Sequence, residues 1–121
     1  VFFAMDNSVP ATPDRTSDAV ITQSAWTLLG MSYAGTGGAT AMNGVALYQN
    51  GAVIASTATN DATYVAMEDK AGAVGIGIYS DLATSSLTGD IAMLLICQKE
   101  LSASEHWLIK KLVNAYFAMS L

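Results

Sequence analysis

The sequence predicts an all-β fold, an antiparallel β-sandwich of the jelly-roll type that ends in one α-helix. Short apolar segments recur at intervals of roughly ten residues between turn-forming residues, which is typical of such a sandwich. No helical pattern lies between these segments, so a parallel α/β arrangement is not expected. The apolar spacing changes to a helical period only after residue 101.

The composition is that of one apolar, weakly charged domain, which we expect to span residues 1–121. Hydrophobic residues make up 52% of the chain and charged residues 12%, about half the charged fraction of ordinary globular proteins. This excludes a disordered chain. Five basic residues against ten acidic ones predict no binding to nucleic acid and no attraction to a membrane surface.

The chain before residue 35 is expected to contain one loop and two strands. Residues 6–18 hold both prolines and predict an extended loop. Residues 18–25 and 26–34 follow as strands, and alternation of side chains supports the second of them. Trp26, at the start of the second strand, is expected in the core.

The clearest local pattern is a β-hairpin centred on Asn50 and Gly51. These residues lie between two strand-like runs, GVALYQ and AVIA. Asn and Gly both tolerate a positive φ, which the two central residues of a type I′ turn require. The sequence therefore predicts a tight two-residue turn at this point.

Three further strands are expected, over residues 62–67, 73–79 and 91–98. The last of them is apolar at successive positions, which indicates a central strand covered on both faces. Cys97, the only cysteine, lies in this strand and is expected to be a buried thiol.

The end of the chain predicts a helix over residues 102–118. Ser102 and Glu105 have the spacing of a capping box at its start. Apolar residues then recur at helical spacing and form one broad stripe. The stripe consists of Leu108, Ile109, Leu112, Val113, Tyr116 and Phe117.

Four segments occur in a characteristic order, WTLLGMSY, VALYQNG, LTGDIAMLLI and KELSASE. Together they resemble the concanavalin A-like, laminin-G-like jelly rolls of bacterial and phage proteins. The resemblance covers residues 26–105 and implies a sandwich whose late strand is followed by a short helix. Fewer strands precede Trp26 than in most members of that family. This implies a compact version, an N-terminally shortened one, or a sheet that a neighbouring chain completes.

The residues predict a protein that is not an enzyme. Glycoside hydrolases with the fold of this family place carboxylates at alternating positions of one strand, and hydrolysis needs two carboxyl groups about 5–10 Å apart. No predicted strand here has that pattern. His106, the only histidine, lacks a nucleophile motif and is expected to be hydrogen-bonded or solvent-facing. One histidine and one cysteine cannot supply a zinc site.

No cofactor is expected, although calcium stays open as an alternative. The resemblance implies calcium bound by loop oxygens, for which Asn60, Asp61 and Asp81 are the candidates. Such residues are also ordinary turn formers. Four tyrosines are candidate stacking platforms for a glycan, although tyrosine is also a common strand residue. They are Tyr33, Tyr48, Tyr64 and Tyr79.

The low charge predicts a surface that is easily desolvated against a neighbouring protein. We therefore expect a structural or assembly protein, a virion or particle-surface component of the phage decoration or tail type, that forms a homo-oligomer or a larger assembly. Its expected interface residues are Trp107, Leu108, Leu112 and Tyr116. The alternative is a lectin-like carbohydrate-binding module of a secreted or cell-surface protein. The expected location is the virion or an extracellular particle surface.

Overall fold

The computed structural model describes residues 2–4, 13–21, 24–66, 76 and 87–121. The chain divides into two compact units, one formed by residues 1–68 with 99–121 and the other by residues 69–98. The described residues of the first unit form six strands, one 3₁₀ turn and one α-helix. A single domain over the whole chain stays a prediction.

The strands form two antiparallel, three-stranded sheets. The first sheet has the order β1-β2-β6, from β1 (Phe2–Ala4), β2 (Asp14–Ser17) and β6 (Ser56–Thr59). The second sheet has the order β3-β4-β5, from β3 (Leu29–Tyr33), β4 (Val45–Gln49) and β5 (Ala52–Val53). The predicted combination of antiparallel sheets and one C-terminal helix is thereby confirmed.

The predicted hairpin is confirmed at residues 50–51. Gln49 pairs with Ala52 across the turn, and both central residues have positive φ, 51° for Asn50 and 76° for Gly51. The Asn50 backbone N–H also donates to the Leu28 carbonyl oxygen at 2.8 Å. In return, the Leu28 N–H donates to Asn50 Oδ1 at 2.9 Å. The turn is thus held to the segment that leads into β3.

A small apolar core receives side chains from both sheets. Its buried members are Ala41, Met42, Val45, Leu47 and Tyr64, and Tyr33, Ile54 and Ala58 pack against them. Because side chains alternate along a strand, β4 directs Val45 and Leu47 into this core and Tyr48 to the opposite face. Tyr48 is buried there as well. The strand that is covered on both faces is therefore β4.

The prediction that residues 6–18 form only a loop is wrong, because β2 lies within them. This polar segment is the middle strand of the first sheet and pairs with β1 on one side and β6 on the other. The Arg15 side chain donates to Ser56 Oγ at 2.8 Å and to the Met42 carbonyl oxygen at 3.2 Å. Both partners are distant from Arg15 in the sequence, so no local sequence pattern predicts this strand.

The two strands predicted after this loop are corrected in part. The described residues of the 18–25 segment form no strand, and Ser24 has a positive φ of 61°. The 26–34 segment forms a strand only from Leu29 to Tyr33. Trp26 precedes that ladder and is 50% exposed, so its expected place in the core is wrong.

The strand predicted over residues 62–67 is a turn in its described part, residues 62–66. Asp61 starts the turn: its Oδ1 accepts the Thr63 N–H at 2.8 Å, and its carbonyl oxygen accepts the Tyr64 N–H at 3.2 Å. Such Asx turns compete with strand pairing. The strand predicted over residues 73–79 lies outside the described residues except for Ile76.

The central strand predicted over residues 91–98 is also wrong. These residues have no regular secondary structure and are all exposed, including the Cys97 thiol that was expected to be buried. An apolar run becomes a central strand only where neighbouring strands supply hydrogen bonds and other layers cover both faces. Among the described residues, β4 has that position instead.

The predicted helix is confirmed as α1 (Ala103–Phe117), with Ser102 as its N-cap. Ser102 Oγ accepts the Glu105 N–H at 3.3 Å, and Glu105 Oε2 accepts the Ser102 N–H at 2.8 Å, which completes the capping box. Lys99 forms an ion pair with Glu105. The hydrogen bond from Lys99 and those from Ser102 lower the pKa of Glu105 to about 2.

Candidate functional site

Helix α1 has one face against the second sheet and one face open to solvent. The inward face buries His106 and Val113. The outer face consists of Leu108, Leu112 and Tyr116, which are three of the four residues predicted to form an interface. The fourth, Trp107, lies on another side of the helix, since nine residues separate it from Tyr116. All four are exposed. Leu112 is 61% exposed and Tyr116 is 83% exposed. The single apolar stripe predicted from the sequence is thus divided between two opposite environments.

The outer face carries two leucines followed by one aromatic ring. Leu108, Leu112 and Tyr116 are spaced by four residues and therefore lie on one side of the helix. The Lys111 ammonium lies 4.9 Å from the centre of the Trp107 ring, a cation–π contact that occupies this cation within its own chain. Tyr116 packs edge-on against Phe117, with 4.9 Å between ring centroids.

The inward face seats His106 on the second sheet. Its imidazole stacks on the Tyr48 ring with 3.7 Å between centroids and an interplanar angle of 15°. A Cβ at Gly30 would lie 2.8 Å from His106 Nδ1, and a Cβ at Gly51 would lie 2.9 Å from Lys110 Cβ. Side chains at these two positions would therefore push the helix away from the sheet. Glycines at both positions allow the close approach.

His106 is buried, with 6% of its surface exposed, and its Nε2 has no hydrogen-bond partner among the described residues. The expectation that this side chain is hydrogen-bonded or solvent-facing is therefore wrong for Nε2. Burial lowers the pKa of His106, and the nearby Glu105 carboxylate opposes that shift. One feature of the sequence indicates this burial: Gly30 lies within the strand-like run LLGMSY, and a strand glycine often marks close approach of another element.

The four predicted tyrosine platforms lie in different environments. The rings of Tyr48 and Tyr64 are buried, so neither presents an open face to a sugar. Burial also raises the pKa of Tyr64. Tyr33 is half-buried and packs against the core, and Tyr79 lies outside the described residues. The carbohydrate-binding alternative therefore depends on Tyr33 and Tyr79.

The predicted calcium-binding side chains make internal hydrogen bonds in the structure. Asn60 Oδ1 accepts the Met42 N–H at 3.1 Å, and Asn60 Nδ2 donates to Asn43 Oδ1 at 2.9 Å. Asp61 Oδ1 accepts both the N–H and the hydroxyl of Thr63. Asp81 lies outside the described residues. Within the described ranges, no three His, Cys, Asp or Glu side chains form a group that could hold a metal ion.

Comparison with protein-family models, with curated proteins and with solved structures finds no match for this chain. Of the helices in the part of the chain that the structure describes, none has the length and apolar character needed to cross a membrane. The function must therefore be inferred from the geometry of the helix and the sheet beneath it.

Proposed function

We propose that this chain is a non-enzymatic structural protein that assembles with further copies of itself through the outer face of α1. One observation carries the proposal: the outer face leaves two leucines and a tyrosine exposed on a helix whose opposite face is already packed. Burial of apolar surface is favourable by roughly 25 cal/mol for each Å² removed from water. A partner that covers this face would therefore be bound favourably.

A second copy of the chain fits the pattern of the outer face. Leu112 lies midway between Leu108 and Tyr116, at four residues from each. In an antiparallel pair of helices related by a two-fold axis at Leu112, each Leu108 lies opposite the Tyr116 of the partner. The nearby cation, Lys111, is already engaged with Trp107. The low charged fraction of the chain, 12%, also favours association.

We further propose that the two sheets belong to a jelly-roll sandwich of the concanavalin A-like type, carried on a virion or another extracellular particle in the manner of a phage decoration or tail protein. Three features support this proposal. The antiparallel sheets share one core, the LYQNG segment forms a tight hairpin, and the LSASE segment begins the C-terminal helix. The expected particle location follows from the same association-prone surface.

Native mass in solution tests the assembly proposal. We expect light scattering after size exclusion to give a discrete oligomer for the unmodified chain. Leu112→Glu should give a monomer with an unchanged circular dichroism spectrum, because a carboxylate would be buried at the centre of the paired helices. Val20→Glu is the matched control, since Val20 is an exposed apolar residue outside the outer face, and it should retain the oligomer.

Three outcomes would contradict the proposal. A monomeric unmodified chain at every concentration tested would exclude self-assembly through any surface. Loss of the oligomer in both variants would show that added negative charge, rather than the outer face, determines the mass. An oligomer that forms only when calcium is added would instead support a metal site in the loops.

A further inference from the structure

We propose that His106 is an acid-operated latch: protonation of its buried imidazole releases α1 from the second sheet. This inference concerns the inward face of the helix and does not depend on the assembly proposed above. It rests on the seat of the imidazole, which is stacked on Tyr48 and lies over Gly30.

The seat holds a neutral ring well and a charged ring poorly. The imidazole stacks on the Tyr48 ring and lies close to Gly30, and only 6% of the residue is exposed. Nε2 is buried without a hydrogen-bond partner among the described residues. A proton on each ring nitrogen requires two acceptors, and a buried charge without partners is strongly disfavoured. Protonation is therefore expected to move the ring into water.

The sheet supplies no countercharge for an imidazolium. The strands beneath α1 have the sequences LGMSY, VALYQ and AV, and the hairpin between the last two is Asn50-Gly51. None of these residues is Asp, Glu, Lys or Arg, and the titratable groups among them are Tyr33 and Tyr48. The face of the Tyr48 ring favours a cation only weakly.

Among the residues that the structure describes, the charged groups next to His106 are Glu105 and Lys110 of the same helix. Glu105 favours the protonated ring, but its carboxylate already accepts hydrogen bonds from Ser102 and Lys99. Lys110, whose Cβ lies near Gly51, adds a positive charge to the same helix face. The effect of burial is larger than the opposing effect of Glu105, so the pKa of His106 is lowered.

The sign of the pH dependence follows from this direction. In the released helix the imidazole has its ordinary pKa of about 6.5, whereas in the docked helix its pKa is lower. The released form therefore binds more protons, and docking weakens as the pH falls below about 6.5. The Glu105 carboxylate is protonated only at lower pH, between 4.5 and about 2. Loss of the helix cap is therefore separable from protonation of His106.

The test follows the His106 imidazole by NMR together with hydrogen exchange of the α1 amides. His106 is the only histidine, so its ring signals are unambiguous. We expect a docked-state pKa below 6.5. After correction for intrinsic exchange, opening of α1 should increase by up to about tenfold for each pH unit below 6.5, the slope for one linked proton. Amides of β2 and β6 in the first sheet serve as the internal control.

Two variants keep the test decisive. His106→Phe retains a flat ring without a titrating group, and His106→Gln retains a polar side chain without one. Both should lose the pH dependence of α1 opening between about pH 7.5 and pH 5, whatever their stability at neutral pH. Retention of that dependence in either variant would overturn the latch. A His106 pKa at or above about 6.5 would overturn it as well, and so would equal acceleration of exchange in α1 and in the control strands β2 and β6.

Discussion

The two faces of β4 are buried by different chemistry. On one face, Leu47 enters an apolar core with Met42 and Tyr64. On the other face, Tyr48 stacks on His106, a ring that can acquire a charge. Burial of the core face depends mainly on apolar contact, with hydrogen bonds of the Met42 backbone to Arg15 and Asn60. Burial of the helix face, in our proposal, depends on the protonation state of His106. The contacts on one face of β4 can therefore be independent of pH while the contacts on its other face depend on pH.

The largest expected effect concerns the core face. Leu47→Ala removes a fully buried side chain and should lower the free energy of unfolding by about 2–5 kcal/mol, because the lost apolar contact adds to the cost of a cavity. Urea denaturation measures this change. A loss of less than about 1 kcal/mol would show that the core face contributes no more than a typical surface contact.

The next effect concerns the seat of His106. Gly30→Ala places a Cβ 2.8 Å from Nδ1 of the ring and should cost about 1–3 kcal/mol of unfolding free energy through overpacking. Urea denaturation also measures this change. The same substitution should cost much less in a His106→Ala chain, since the ring that it meets is gone. An equal loss of unfolding free energy in both backgrounds would show that Gly30 is needed for the strand itself and not for the contact with α1.

The smallest effect concerns the start of α1. The N-cap stabilises the helix that covers Tyr48 without being part of the contact between His106 and Tyr48. Ser102→Ala removes the side chain that accepts the Glu105 N–H and should lower the free energy of unfolding by about 0.5–2 kcal/mol. Ser120→Ala, at an exposed position beyond the end of the helix, is the matched control and should leave stability unchanged. Thermal unfolding followed by circular dichroism compares the two variants. Equal stability of both would contradict a role for the cap.

Short-range patterns predicted the structure well where the physical cause is local. Asn50 and Gly51 have the positive φ that their types permit, and Ser102 and Glu105 reach each other because they are three residues apart on one helical turn. Neither feature needs a distant partner. Prediction failed where partners are distant, as for β2, whose Arg15 bonds to Ser56, and for the apolar residues 91–98.

The candidate site divides in the same way. Helical spacing placed Leu108, Leu112 and Tyr116 in one broad apolar stripe, and the structure leaves all three exposed. Their role in an interface stays a prediction. Spacing did not indicate that His106 would be buried, because that depends on the strand and the hairpin beneath it. The burial of Tyr48 and Tyr64 was likewise invisible in a pattern that fits half-buried strand tyrosines.

The sequence by itself determined the hairpin, the helix, its cap and the antiparallel, β-rich class, because turn geometry, capping and side-chain periodicity act between residues close in the chain. The tertiary structure decided which strand is covered twice and which side of α1 faces the protein. A helix with a broad apolar stripe could pack against a sheet in several rotations about its own axis. The close approach permitted by Gly30 and Gly51 selected the side that carries His106 and left the leucines of the outer face in water.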